Sequence, residues 1–124
     1  MLTKVRVLIA DDHSLFAEAL QAILATDERV AVAGHARDGR EAVQLAARLE
    51  PDVVLMDISM PLMDGFAATK TVLRDNPHTR VLMLTGSNAR ADVAKARRAG
   101  AAGYVTKDRI AAELIEAIIE VAER

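Results

Sequence analysis

Short apolar runs alternate with longer segments of helical period along all 124 residues, and this alternation restricts the chain to βα units stacked around a parallel sheet. The runs are KVRVLIA at 4–10, RVAVAG at 29–34, DVVLMD at 52–57, RVLMLT at 80–85 and AAGYV at 101–105. The first, apolar and β-branched, is of the kind that fills the middle of such a sheet. The segments between and after the runs predict five helices. The first begins near Ser14, with Leu15, Phe16, Ala19, Leu20, Ile23 and Leu24 on one face. The second opens on the D-x-x-E capping box of Asp38 and Glu41 and stops at Pro51. The third starts after Asp64 and ends before Pro77. The fourth runs from about Asn88 to Arg98 with Gly100 as its C-cap, and the fifth from Asp108 to the end. A chain of this length that is 52% apolar suits one domain with one core, so residues 1–124 read as a single (βα)5 unit without linker or repeat.

In open parallel sheets, ligands bind outside the carboxyl ends of the strands, where the strand order reverses. Asp11 and Asp12 stand there after the first strand, Asp57 ends the third, Thr85 ends the fourth and Lys107 follows the fifth. Two like charges about 4 Å apart repel by roughly 4 kcal/mol at the effective dielectric of a protein surface. Three carboxylates at one edge therefore ask for a cation. The donors are all hard oxygen, which selects Mg²⁺ over zinc or copper. Asp12 and Asp57 are expected as direct ligands and Asp11 through water, with the backbone carbonyl of Ser59 completing the protein's share. The cation, Lys107 and the Thr85 hydroxyl suit phosphoryl oxygens. A carboxylate can itself become an acyl phosphate, and Asp57, on the middle strand, is the expected phosphoacceptor. No residue looks like a dedicated general base, so the acyl phosphate is expected to persist as a signal.

Several function classes drop out. A net charge of −2 argues against a polyphosphate partner held by bulk charge. Without cysteine there are neither disulfides nor thiolate metal sites. No segment has the apolar length of a transmembrane helix and the N-terminus lacks a signal-peptide pattern, so the expected location is cytoplasmic, with no membrane partner. Phe16, Phe66 and Tyr104 are the only Phe, Tyr or Trp residues, too few for a flavin site. G-x-G-x-x-G and G-x-x-x-x-G-K are absent. An aspartyl phosphatase would want D-x-D after its first strand, but here the acids are adjacent and the nucleophile stands on another strand.

The acidic pair Asp11 and Asp12, Asp57 in LMDISMPLMDG, Thr85 in VLMLTG, and Tyr104 and Lys107 in AGAAGYVTKD together resemble a response-regulator receiver domain of two-component signalling. The resemblance covers essentially the whole chain. GHARDGREAV, MPLMDG and RRAGAAGYVTKD resemble in particular the receivers whose usual partner is a C-terminal helix-turn-helix of the LuxR and NarL type. It implies a doubly wound, flavodoxin-like or CheY-like sheet in the order 2-1-3-4-5. It implies phosphorylation of Asp57 by a sensor histidine kinase, movement of Thr85 onto the phosphoryl group, and Tyr104 turning inward. The face made by helix four, strand five and helix five then changes to control dimerisation and an output. DNA would be reached only indirectly, through an output domain that this chain does not carry. The rival within the family is a degenerate receiver that acts as a constitutive interaction module.

Many receivers carry proline after the lysine, with a cis peptide there, but here Asp108 follows Lys107. A non-proline cis bond costs about 2.5 to 4 kcal/mol, so a trans bond is expected, with Asp108 capping the last helix. Tyr104 is either a switch residue or half-buried packing on an edge strand. His13 reads as a solvated first-turn residue, and His35 and His78 give no signal. Met56, Met60 and Met63 read as core and loop filler. Arg90, Lys95, Arg97 and Arg98 read as the solvated face of helix four, and Ser59 and Ser87 as residues that tune the lifetime of the acyl phosphate. On the last helix Ile110, Leu114, Ala117, Ile118 and Val121 share a core-facing arc. Ile115 and Ile119 lie well around from it, as cover for a neighbouring helix or as a homodimer or output-docking contact.

Overall fold

The computed structural model describes residues 4–86 and 90–123. Val7, Leu8, Ile9 and Ala10 are each wholly buried, so the first strand, β1 (Val5–Ala10), has no solvent face along most of its length. The same holds for β3 (Val53–Asp57) and for most of β4 (Arg80–Thr85). Strands covered on both sides are flanked by the less buried β2 (Val30–Ala36) and β5 (Gly103–Thr106). All neighbours pair in parallel in the order β2-β1-β3-β4-β5, so the order reverses between β1 and β3. Between β1 and β2 the register shifts after Val7, which pairs with Val32 while Leu8 pairs with Gly34.

Five α-helices close the sheet: α1 (Ser14–Leu24), α2 (Gly39–Leu49), α3 (Gly65–Asp75), α4 (Arg90–Ala99) and α5 (Ile110–Ala122). Side-chain alternation along each strand sends alternate residues to opposite faces and so builds two separate cores. On one face Val7, Ile9, Val53, Leu55, Leu82 and Leu84 meet the large side chains of α1 and α5, among them Leu20, Leu24, Leu114 and Ile118. On the other, Leu8, Val54, Met56, Val81 and Met83 meet small ones, Ala42 and Ala46 of α2, Ala68 and Val72 of α3 and Ala96 of α4. Small residues let three helices lie close on that face.

Helix limits follow from local chemistry. The Asp38 carboxylate accepts the Glu41 N–H at 2.8 Å, while the Glu41 carboxylate accepts the N–H of Arg37, one residue before the cap. Asp64 caps α3 by accepting the Ala67 N–H at 2.9 Å. Gly100, at φ 101°, takes the left-handed turn that ends α4, and Ala101 donates its N–H to the Ala96 carbonyl. Ala101 is thus engaged in closing the helix, and β5 begins at Gly103 rather than at 101. The expected start of α4 at Asn88, and Ser87 with it, lie outside the described residues.

Two expectations need correction. In α1 the buried face is Ala17, Leu20 and Leu24 with Phe16 and Ile23 at its edge; Leu15 is 82% exposed and Ala19 is exposed as well. Asp108 caps nothing: it is exposed within a single 3₁₀ turn, Lys107–Arg109, and α5 starts at Ile110 without a side-chain cap. The backbone there is trans, as expected, and no cis bond occurs among the described residues. Ile115 and Ile119 are half-buried and pack against the α1 and α5 core, so they are partly covered within the domain itself. Met56 is wholly buried, Met60 and Met63 pack at the edge of the second core, and Arg90, Lys95, Arg97 and Arg98 are exposed, all as read from the sequence.

Candidate functional site

Strand β1 extends its ladder by one bond, from the Asp11 N–H to the Ala36 carbonyl at 2.9 Å, and so carries Asp11 to the sheet edge fully buried. Its Oδ1 accepts the His13 N–H at 2.7 Å, and its backbone carbonyl lies 2.9 Å from His35 Nε2. Asp12 is more open, and His13 stands at the N-cap of α1 with Nδ1 3.3 Å from Asp12 Oδ1 and 3.7 Å from Asp11 Oδ1. Asp57 ends the central strand and is 2% exposed. The loop after it returns so closely that a Cβ on Gly65 would lie 2.2 Å from the Asp57 carbonyl oxygen. Only glycine fits there, which explains the residue following Asp64.

One oxygen of Asp57, Oδ1, faces Lys107 Nζ at 3.4 Å and the Ser59 N–H at 3.4 Å. The other, Oδ2, is buried without a partner, as is Asp11 Oδ2. Ligand atoms of Asp11, Asp12, His13 and Asp57 all lie within 4.8 Å of one another. Burial, then the charge of Asp11, push the Asp57 carboxyl above its ordinary range, against the pull of Lys107 and the Ser59 N–H. Orphaned buried oxygens on adjacent acids fit a hard divalent cation, which would satisfy both and offset their repulsion.

Lys107 comes directly after β5, about a third exposed, and its ammonium lies 4.8 Å from the centre of the Phe16 ring. Thr85 ends β4 and is buried; the residue before it, Leu84, is the register partner of Asp57. Tyr104 on β5 is 42% exposed beside a cleft of about 390 Å³ between α4 and α5, lined by Val93, Arg97, Ala117 and Val121 among others. Asp11, Asp12, Asp57 and Lys107 therefore meet as the sequence implies, and Ser59 joins them through its N–H. Phe16 and His35 were not foreseen.

Residues 7–119 match the response regulator receiver domain family. The chain belongs to that family. The receiver is 38% identical over 120 residues to the transcriptional regulatory protein DegU of Brevibacillus brevis, covering 97% of this chain and 51% of that protein. It superimposes with TM-score 0.92 and 33% identity on a two-component response regulator of the LuxR family from Aurantimonas sp., covering 98% and 86% of the two chains. The response regulator domain of Thermotoga maritima CheB gives TM-score 0.91 at 33% identity, covering 98% of each. The receiver thus spans about half the length of the curated relatives it matches. Receivers generally use Mg²⁺ at an acidic pocket and partner with histidine kinases, and the Asp11, Asp12 and Asp57 cluster suits that ion. No helix among the described residues is long and apolar enough to cross a membrane.

Proposed function

We propose that residues 1–124 act as one phosphorylation-dependent switch, in which Asp57 accepts a phosphoryl group from a sensor histidine kinase with the help of Mg²⁺. The observation that carries this reading is the division of labour at Asp57: Oδ1 faces Lys107 and the Ser59 N–H, while the buried Oδ2 is left without a partner. A carboxylate oxygen of Asp57 attacks. Its bond to phosphorus forms as the phosphorus–nitrogen bond of the donor histidine breaks, and the imidazole leaves with the electron pair. Asp12, Asp57 and the Ser59 carbonyl would hold the ion directly and Asp11 through water. Bound there, Mg²⁺ neutralises charge that gathers on the phosphoryl oxygens. Lys107 does the same from the opposite side, and Thr85 hydrogen-bonds the transferred group.

The output follows from charge added at one end of the sheet. Thr85 moves onto the phosphoryl group, and Tyr104 turns from its exposed position into the cleft beside α4 and α5. That changes the surface of α4, β5 and α5, including Ile115 and Ile119, and favours a homodimer. A C-terminal helix-turn-helix output, reached through the part of the relatives this chain does not span, would read the change on DNA. The setting is cytoplasmic.

The test is intact mass after incubation with acetyl phosphate and Mg²⁺, beside Asp57→Ala, with sizing in both states. One added phosphoryl group that requires both Mg²⁺ and Asp57 is expected. Phosphorylated protein should elute larger, and an Ile115→Glu, Ile119→Glu double variant should remain monomeric. Mg²⁺ binding without any adduct would instead favour the constitutive interaction module.

A further inference from the structure

The acidic cluster is not all oxygen. His13 offers an imidazole nitrogen to it, and the fit is metric. Two ligands each about 2.1 Å from one metal ion stand about 3.0 Å apart at a right angle and about 3.4 Å apart at the tetrahedral angle. His13 Nδ1 and Asp12 Oδ1 are 3.3 Å apart, within that interval, and Nδ1 is 3.7 Å from Asp11 Oδ1, a few tenths beyond it. The same cluster holds the two buried oxygens that lack partners, on Asp11 and Asp57. The backbone supports this placement: His13 is the N-cap of α1, and its N–H is fixed by Asp11 Oδ1 at 2.7 Å. The side chain is 71% exposed, and Nδ1 is the atom it turns toward the acids.

The geometry points to a mixed nitrogen and oxygen centre in which His13 Nδ1 joins Asp12 and Asp57 as a ligand, so that the site favours first-row transition ions such as Ni²⁺ or Zn²⁺ over Mg²⁺. The inference rests on the cation site proposed above and adds a ligand to it. Neutral imidazole is a poor donor to Mg²⁺, which prefers oxygen and keeps its waters, but a good one to the later divalent ions. The consequence is a receiver whose occupancy depends on which metal is at hand.

The experiment is calorimetric titration of the untagged protein with NiCl₂, ZnCl₂ and MgCl₂ separately, comparing wild type, His13→Asn, His78→Asn and Asp57→Asn. Asparagine is a favoured N-cap, so α1 keeps its start in the His13 variant. We expect the ratio of Ni²⁺ to Mg²⁺ affinity to fall at least about tenfold in His13→Asn, the lower end of what losing even an outer partner costs a metal centre. His78→Asn, in an exposed loop, should leave the ratio unchanged. An unchanged ratio in His13→Asn, with Mg²⁺ binding that Asp57→Asn weakens, overturns the His13 assignment and leaves the acidic site standing. Failure of all three ions to bind wild type overturns both.

Discussion

Replacing Asp57 by asparagine should make the metal-free protein more stable at neutral pH. Asp57 and Asp11 bring oxygens within 4.8 Å of each other, and at an effective dielectric of 20 two such charges repel by about 3.5 kcal/mol. Lys107 offsets part of this from 3.4 Å, but its side chain is 31% exposed and water screens the pair toward the ~1 kcal/mol of open ion pairs. Desolvation of a carboxylate that is almost wholly buried adds to the cost. Asparagine keeps the shape, carries no charge, and its amide can donate to the unpartnered Asp11 oxygen. The net gain should be about 1 to 3 kcal/mol, and for 124 residues each kcal/mol moves Tm by about 4 °C. The sign with pH follows from the raised carboxyl of Asp57. A group whose pKa is raised on folding favours the fold while it is protonated, and that contribution is lost as pH rises through the folded-state value. The advantage of Asp57→Asn should therefore be full above the raised Asp57 value and shrink as pH falls toward the ordinary carboxylate value of about 4. Differential scanning calorimetry in EDTA from pH 4 to 8 measures it. A variant less stable than wild type at pH 7, or an advantage that does not shrink as pH falls, would falsify the charge argument.

Three further outcomes are expected. Gly65→Ala places a methyl group where the Asp57 carbonyl oxygen stands and should cost about 2 kcal/mol or more in urea denaturation; a near-neutral result would mean that the loop yields. Phe16→Leu keeps the apolar volume but removes the ring face under the Lys107 ammonium. The initial rate of phosphoryl uptake from acetyl phosphate, followed by intact mass, should drop about two- to fivefold, and an unchanged rate would make the contact incidental. Arg29 donates to Asp27 from its side chain and its backbone, lowering the Asp27 pKa to about 2. In Arg29→Gln an NMR titration should find Asp27 closer to its ordinary value. Because a depressed pKa favours the fold above the unfolded value, the wild-type margin should narrow as pH falls from about 4 toward 2.

Much of this molecule is legible in its sequence where burial is two-sided. The runs at 4–10, 52–57 and 80–85 stay apolar at both parities because helices cover both faces of the sheet, and the structure places β1, β3 and β4 there. Asp38, Asp64 and Gly100 mark helix ends through bonds that span a few residues, so the chain displays them locally. Reading falters where composition is uniform. Most of α1 is apolar, so Leu15 and Ala19 fit a helical stripe as well as Ala17 does, and only packing against the sheet decides between them. At the site, Asp11, Asp12, Asp57 and Lys107 were found by their place at strand ends. Phe16 beside Lys107 was not, because the two are brought together by the order of strands rather than by any spacing. The imidazole of His13 reads from the sequence as solvated and is exposed, but its approach to Asp12 depends on side-chain rotamers that no spacing displays.

Among the described residues the cores on the two faces of the sheet share no side chain: Leu8 and Ala10 of β1 serve one, and Val5, Val7 and Ile9 the other. Mutations in contact couple and distant ones add, so substitutions behind α1 and α5 should combine independently with those behind α2, α3 and α4. For a lineage of such domains this is modularity across a thickness of one backbone. The layer made of leucine and isoleucine can drift in volume while the alanine-lined layer stays fixed, and chimaeras that take one layer from each of two relatives should fold when the strand residues travel with the helices they face.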